Sequence, residues 1–215
     1  MAIADVYPLS FLSDRLITKQ AVTVSMKRSD EQSGSGDGRY WIAQLARPLW
    51  QVEMTLEAMG RNCIPRAREI DAKIRALDGT RRSFLFADPT YSPGGGVAPG
   101  TGVTISAISS DRTTISLTGL PASYPIVAGD RLSIAYGTDK VFYAEIAQTL
   151  TATSAGVRSS IPIFPYLPMS ITTGASVEMA APYLKVFVPP DGYTPFSYIP
   201  GFVAQGASLT MLQRL

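Results

Sequence analysis

Residues 65–79 are the one stretch of this sequence with the pattern of an amphipathic α-helix. Pro65 stands at the first helical position, where its missing N–H costs nothing, and Gly79 follows the last turn. Between them, apolar residues recur at spacings of three and four: Ala67, Ile70, Ile74 and Leu77. The pattern predicts a helix over residues 65–78 whose apolar face covers a sheet. On its outer face, Glu69 is expected to pair with Lys73 and Asp71 with Arg75.

The rest of the chain has the alternating and short apolar patterns of β-strands. The alternation is clearest over residues 50–57, where Trp50 begins a series of apolar residues on one face and Gln51 a series of polar residues on the other. Similar patterns occupy residues 20–27, 83–88, 183–188 and 207–211. The predicted fold class is therefore mainly β with one packed α-helix.

Glycine and proline divide the chain into two predicted domains. Residues 91–102 have the composition of a hinge or linker, and several short strands follow between residues 103 and 164. The last strand, at 207–211, has an apolar face that matches that of residues 50–56, so the two are predicted to pair. This predicts a main β-barrel or sheet domain from residues 1–95 and 180–215. Residues 97–178 are then an inserted small β-barrel or sandwich.

Composition excludes several classes of function. The chain has no histidine, which excludes Ser-His-Asp and Cys-His nucleophiles and histidine-containing metal sites. Its single cysteine, Cys63, has no partner for a disulfide and is expected to be a small apolar residue before the helix. A net charge of +2 without a basic stripe predicts no nucleic-acid groove. Without a signal peptide or a long apolar run, we expect a soluble protein made in a cytoplasm, with no membrane insertion.

The carboxylates and glycines do not form a recognisable catalytic, metal or cofactor motif. Glu53 and Glu57 share the polar face of one strand, which favours solvated side chains over a glycosidase pair. Asp78 and Asp88 are explained by the chemistry of turns. The glycine runs at 34–38 and 94–96 lack the ending of a phosphate loop and are predicted to be flexible connectors, with residues 29–38 a mobile loop. We predict no enzymatic activity, no metal and no cofactor.

Two groups of aromatic residues are candidate binding residues. Tyr193, Phe196, Tyr198 and Phe202 lie in a segment rich in proline and glycine. They either cap the core or form a contact between subunits. In the predicted insert, Tyr136, Tyr143 and Tyr166 are candidates for stacking on a glycan, with half-buried strand residues as the alternative interpretation.

Three stretches of the chain, taken in order, carry a resemblance to a known family. The first is the helix end Ala-Leu-Asp-Gly with Arg-Arg-Ser-Phe-Leu-Phe-Ala-Asp-Pro at 81–89. The second comprises 128–134, opened by Gly-Asp, with 141–146 and Ile-Pro-Ile-Phe-Pro at 161–165. The third is the alternating strand at 202–215. Together they resemble distal tail proteins of long-tailed, siphovirus-type bacteriophages and of gene transfer agents.

The resemblance implies a virion structural protein at the tail tip. Such proteins form a ring, commonly a hexamer, that connects the tail tube protein to the baseplate hub protein and the host-adhesion apparatus. It implies assembly in the cytoplasm of the bacterial host, possible contact with receptor-binding proteins, and DNA only as a transient passenger through the lumen. It carries over no catalytic residue.

Three alternatives stay open at this point. Many distal tail proteins place their second domain at the C-terminus, whereas here it interrupts the main domain, which leaves another minor tail or hub-proximal protein as a possibility. The second alternative is a module in which residues 97–178 bind a carbohydrate of the host surface. A histidine-free carboxylate glycosidase is the enzyme alternative, and hydrolysis of cell wall in a zymogram would distinguish it.

Overall fold

The computed structural model describes residues 5–12, 16, 22–34, 36, 38–97, 99–200 and 202–215. Within these ranges the protein is mainly β with one α-helix, which confirms the predicted fold class. The helix α1 is Ile64–Ala76. The strands, in chain order, are β1 Val6–Tyr7, β2 Thr23–Lys27, β3 Asp30–Gly34, β4 Tyr40–Gln44, β5 Leu49–Thr55, β6 Met59–Gly60, β7 Ser83–Ala87, β8 Thr104–Ile108, β9 Thr114–Thr118, β10 Pro125–Ile126, β11 Arg131–Tyr136, β12 Lys140–Ile146, β13 Leu150–Thr151, β14 Arg158–Phe164, β15 Tyr183–Phe187, β16 Tyr193–Thr194, β17 Ser197–Ile199, β18 Val203–Gln205 and β19 Ser208–Gln213.

The chain divides into two compact units. Unit 1 is drawn from residues 1–5, 14–83 and 186–214, and unit 2 from residues 6–13, 84–185 and 215. The sequence assigned residues 84–95 to the main domain, whereas this division assigns them to unit 2. The chain passes from one unit to the other after Ser83 and again after Lys185.

The sheet of unit 1 is centred on β5 and β19. These strands pair antiparallel from Thr55 with Ser208 to Gln51 with Leu212, so the predicted pairing of the last strand with residues 50–56 is confirmed. Strand β2 pairs with the other edge of β5, and β16 and the end of β15 both pair with β19. The inward residues of β5 are buried, as their alternation predicts: Trp50, Val52 and Met54.

The helix packs in unit 1 by the apolar face that its spacing predicts. Its four predicted core residues are all buried: Ala67, Ile70, Ile74 and Leu77. Lys73 Nζ lies 3.0 Å from Glu69 Oε1, as expected for the outer face. The expectation for Asp71 is wrong, because this residue is buried on the inner side of the helix. Cys63 lies just before the helix, as expected, and is a free and exposed cysteine.

Residues 30–34 form a strand, which corrects the prediction of a mobile loop over residues 29–38. Strand β3 pairs antiparallel with β4 over five residue pairs, from Asp30 with Gln44 to Gly34 with Tyr40. The loop prediction followed the local excess of glycine, serine and aspartate. The pairing with β4 overrides that local preference, because the partner strand supplies the hydrogen bonds of a ladder.

Unit 2 contains a five-stranded antiparallel sheet in the order β11-β12-β14-β9-β8. The short strands predicted between residues 103 and 164 are confirmed. The two-residue strands β10 and β13 pair with each other and were missed, since two residues carry no periodicity. The core of this unit is aliphatic and aromatic, with Ile105, Leu117, Tyr124, Leu132, Ile134, Ile146 and Ile161 among its most buried members.

Asp130 holds the glycine segment that follows β7 in place within unit 2. Its Oδ1 accepts a hydrogen bond from the Gly94 N–H at 2.7 Å, and its Oδ2 accepts one from the Val127 N–H at 2.8 Å. A Cβ at Gly95 would lie 2.7 Å from the carbonyl oxygen of Pro125. The prediction of a flexible connector is therefore wrong for Gly94 and Gly95. Glycine is needed at these two positions because the backbone passes so close to other residues of unit 2 that no side chain would fit.

We expect Gly95→Ala to lower the free energy of unfolding by about 1–3 kcal/mol, because the added methyl group meets the backbone of Pro125. Gly100→Ala is the matched control, since a Cβ there has no atom within 4 Å and the expected change is below about 0.5 kcal/mol. Urea denaturation of both variants measures the difference. Equal effects would mean that the segment is not packed as described.

Candidate assembly surface

The hairpin of β3 and β4 is exposed on both of its faces. Every residue of the two strands is solvent-exposed, including three consecutive large apolar residues on β4. Because side chains alternate along a strand, Trp41 points to one face of the hairpin while Tyr40 and Ile42 point to the other. Trp41 is 69% exposed, and Tyr40, Ile42 and the neighbouring Leu45 are exposed to a similar degree.

A two-stranded hairpin of this kind is marginally stable in water without a surface to pack on. In the described residues, β3 and β4 pair only with each other, so the outer edge of each strand offers unpaired backbone groups. Clustered exposed apolar side chains mark interaction surfaces in soluble proteins. The hairpin therefore has the properties of a surface that a partner covers.

The hairpin extends from one end of the unit 1 sheet. Lys27, the last residue of β2, pairs with Leu49, the first residue of β5, and the hairpin lies between these two strands in the chain. Residues 30–44 contain Asp30, Glu31 and Asp37 against Arg39, a formal charge of −2. The other residues of unit 1 contain 13 Lys or Arg and 8 Asp or Glu, a formal charge of +5.

A pocket of about 330 Å³ opens at the other end of the same sheet. It lies where β5 ends and β19 begins, since Thr55 pairs with Ser208. Its lining combines aliphatic groups with three hydroxyl or amide side chains: Thr55, Leu56, Ala58, Ser197, Gln205 and Gly206. Such a pocket is at the small end of those that hold a ligand, which begin at roughly 300 Å³.

The aromatic segment at 193–202 is largely turned toward its own unit. Tyr198 Oη donates a hydrogen bond to Asp71 Oδ2 at 2.6 Å, and Tyr193 Oη donates one to Asp71 Oδ1. Phe196 is buried, with 5% of its surface exposed. Phe202 alone of the four candidates is widely exposed, at 73%. Three of the four residues thus make intramolecular contacts, and Phe202 offers a free surface.

The environment of Asp71 keeps both phenols protonated. Burial, followed by the hydrogen bond to Asp71, raises the pKa of Tyr198 to about 12. The same two causes raise the pKa of Tyr193. The Arg68 guanidinium lies 5.8 Å from the centroid of the Tyr198 ring, which stabilises the ring in this position. The carboxylate therefore fastens the aromatic segment to the helix.

Sequence reasoning missed Asp71 although a signal was present. Asp71 follows Ala67 by four residues and precedes Ile74 by three, so it belongs to the buried face of the helix. The spacing to Arg75 suggested an exposed ion pair instead. A charge on a buried face requires partners, and the two tyrosines of the aromatic segment are those partners.

The three candidate glycan-stacking tyrosines differ in exposure. Tyr143 is buried, and this burial raises the pKa of its phenol. Tyr136 is half-buried and packs against the core of unit 2. Tyr166 is 63% exposed and meets Phe164 edge-on, with ring centroids 6.2 Å apart. Of the three, Tyr166 has a ring that a ligand could reach.

The loop that carries Tyr166 is pinned by Arg112. The Arg112 Nε donates to the carbonyl oxygen of Leu167 at 3.2 Å, and its Nη2 donates to those of Pro168 and Ile171. The Leu167 N–H in turn donates to the Arg112 carbonyl oxygen at 3.0 Å. These bonds hold the loop in one conformation beside the exposed ring.

The carboxylates considered in the sequence have ordinary structural surroundings. Glu53 is exposed and Glu57 half-buried. Asp78 Oδ2 lies 3.2 Å from Arg81 Nη1. Asp88 accepts hydrogen bonds from Thr90 in a turn and forms an ion pair with Arg131 at 2.8 Å. Among the residues that the structure describes, no three histidine, cysteine or acidic side chains are grouped as a metal site would require.

Comparison with protein-family models and with curated proteins gave no match for this chain. In the described ranges, no helix has the length and apolar character needed to span a membrane.

We expect Asp71→Ala to destabilise unit 1, because the substitution leaves the hydroxyl groups of Tyr193 and Tyr198 without their acceptor. The free energy of unfolding should fall by about 2–3 kcal/mol, as for hydrogen bonds to a buried charged group. Glu69→Ala, which removes a partly exposed ion pair from the same helix, is the control and should cost below about 0.5 kcal/mol. Equal losses in urea denaturation would contradict the assigned role of Asp71.

We also expect the stability of the protein to fall in alkali through Tyr198. A phenol whose pKa is raised by folding stabilises fully below its ordinary pKa of 10 and loses that contribution as the pH rises through about 12. Tyr198→Phe should therefore make the decline of unfolding free energy between pH 10 and 12 shallower. Tyr166→Phe, outside this contact, is the control, and an unchanged slope in Tyr198→Phe would contradict the prediction.

Proposed function

We propose that this protein is a structural component of the tail tip of a long-tailed bacteriophage or gene transfer agent. It assembles as a homo-oligomeric ring, a hexamer in the family it resembles, that joins the tail tube protein to the baseplate hub protein. It acts by assembly and not by catalysis. The observation that carries the proposal is the hairpin of β3 and β4, whose apolar side chains are exposed on both faces.

The hairpin supports self-assembly because a lone chain leaves it in water. Covering three large apolar side chains in an interface stabilises an oligomer by the same effect that stabilises a core. The order of the sequence motifs supports the particular location at a tail tip. In that location the protein is built in the host cytoplasm, contacts receptor-binding proteins at its periphery, and lets DNA pass through the lumen.

Carbohydrate binding by unit 2 is the second candidate function. Tyr166 favours it, since its ring is exposed on a loop that Arg112 holds in place. A preorganised aromatic side chain loses little entropy when it contacts a ligand. Binding of unmodified protein, but not of Tyr166→Ala, to a glycan array would support this function, and equal binding by both would contradict the role of Tyr166.

We expect light scattering to give the unmodified protein a mass of several times the 23.1 kDa of one chain, six times in a hexamer, with rings in negative-stain images. The double variant Trp41→Ser, Ile42→Ser should be monomeric, because it removes an apolar side chain from each face of the hairpin. Its melting temperature measures any loss of fold, and Tyr166→Ser controls for the loss of an exposed aromatic residue elsewhere. A protein that stays monomeric at every concentration would overturn the proposal.

A further inference from the structure

We infer that the contact between copies is head-to-tail: Trp41 of one copy inserts into the pocket of the next copy. The pocket is the one at the end of β5, lined by Thr55, Leu56, Ala58, Ser197, Gln205 and Gly206. This inference depends on the proposed self-assembly and specifies the surface that produces it. Three observations support it: the positions of the two features, the lining of the pocket, and the distribution of charge.

The hairpin and the pocket lie at opposite ends of the same strand. The hairpin joins the sheet at Leu49 and the pocket opens at Thr55, at the two ends of β5. A strand of seven residues spans about 20 Å between its first and last Cα atoms. Because the projecting and receiving features are this far apart, one copy can bind a second through its hairpin and a third through its pocket.

The pocket suits the indole of Trp41 better than it suits an aliphatic side chain. Its volume of about 330 Å³ accommodates a bicyclic ring, and the exposed Ala58 provides apolar contact in the lining. The indole N–H is a donor only, and it needs an acceptor when it is buried. Three residues of the lining carry an oxygen atom that can accept a hydrogen bond: Thr55, Ser197 and Gln205. A buried tryptophan of this kind is a typical anchor residue of an interface.

The charged residues of unit 1 are unevenly distributed between the hairpin segment and the rest of the unit. The hairpin segment carries a formal charge of −2, whereas the remainder of unit 1 carries +5. Two hairpins placed against each other would bring like charges together, which disfavours a symmetric contact through Trp41. A hairpin placed against the body of another copy brings opposite charges together. The charge distribution thus favours a heterologous contact, the type that closes into a ring when the rotation between copies allows it.

Two variants, each defective in one half of the contact, test the inference. Trp41→Ala removes the inserted side chain and keeps the pocket. Ala58→Trp fills the pocket and keeps Trp41, and it starts from an exposed residue, so the fold should be retained. Ala107→Trp is its matched control, because it places the same side chain at an exposed position of β8. Circular dichroism and melting temperature establish that each variant is folded.

Each variant alone should be monomeric by light scattering, and Ala107→Trp should assemble like the unmodified protein. An equimolar mixture of Trp41→Ala and Ala58→Trp should form complexes of two chains and none larger. The reason is that the intact pocket of the first binds the intact Trp41 of the second, after which both remaining surfaces are defective. A two-chain limit of this kind is expected of a head-to-tail contact and not of a symmetric one.

Other outcomes separate the two proposals. Rings formed by Trp41→Ala, or a mixture that stays entirely monomeric while the unmodified protein forms rings, would overturn the Trp41 contact and leave self-assembly intact. If the unmodified protein were itself monomeric at all concentrations, the proposed ring would fail together with this contact.

Discussion

The pairing of β5 with β19 is the interaction on which the rest of unit 1 depends. It joins residues 14–83 of the unit to its last segment, residues 186–214, and the Trp50 N–H reinforces it by donating to Gln213 Oε1 at 3.3 Å. Contacts so distant in sequence have a high cost in loop-closure entropy, and burial of the two matched apolar faces compensates for that cost. The hairpin continues from one end of this strand pair and the pocket lies at the other. The pairing therefore determines the separation of the two surfaces that we propose to meet in the ring.

Asp71 has a comparable role for the helix and the aromatic segment. Apolar packing holds the helix in unit 1 but does not specify the position of residues 193–202 on it. The hydrogen bonds from the phenols of Tyr193 and Tyr198 to the buried carboxylate of Asp71 fix that position, because charged hydrogen bonds depend on distance and angle. Burial of an unpaired carboxylate would be strongly unfavourable, so the segment and the helix are ordered together. This explains why Tyr193 and Tyr198 are turned inward while Phe202 remains exposed.

The sequence predicted the elements whose patterns are local. The predictions failed where the structure of a segment depends on a partner that is remote in the sequence. Periodicity was sufficient for β5, β19 and the apolar face of the helix. Residues 30–34 were predicted to be a loop because their glycine and serine content is typical of loops, and their pairing with residues 40–44 is not visible in either segment alone. Asp71 and Gly94 were misinterpreted for the same reason, since Tyr193, Tyr198 and Asp130 are remote in sequence. In the candidate surface, the apolar residues beside the turn could have been recognised from the sequence: Tyr40, Trp41 and Ile42. The pocket could not, because its lining comes from three separate segments of the chain.

The stability of the folded β3–β4 hairpin also depends on whether another surface covers it. A two-stranded ribbon gains little stability from its own cross-strand pairs, and its apolar side chains gain most only when a second surface removes water from them. Binding that covers the hairpin therefore stabilises the folded hairpin by mass action, to an extent that rises with protein concentration. The acidic residues of β3 oppose the pairing of one hairpin edge with another, which is the usual hazard of an open strand. The same ribbon can thus avoid uncontrolled association through its edges while its apolar faces stay available for the contact that we propose.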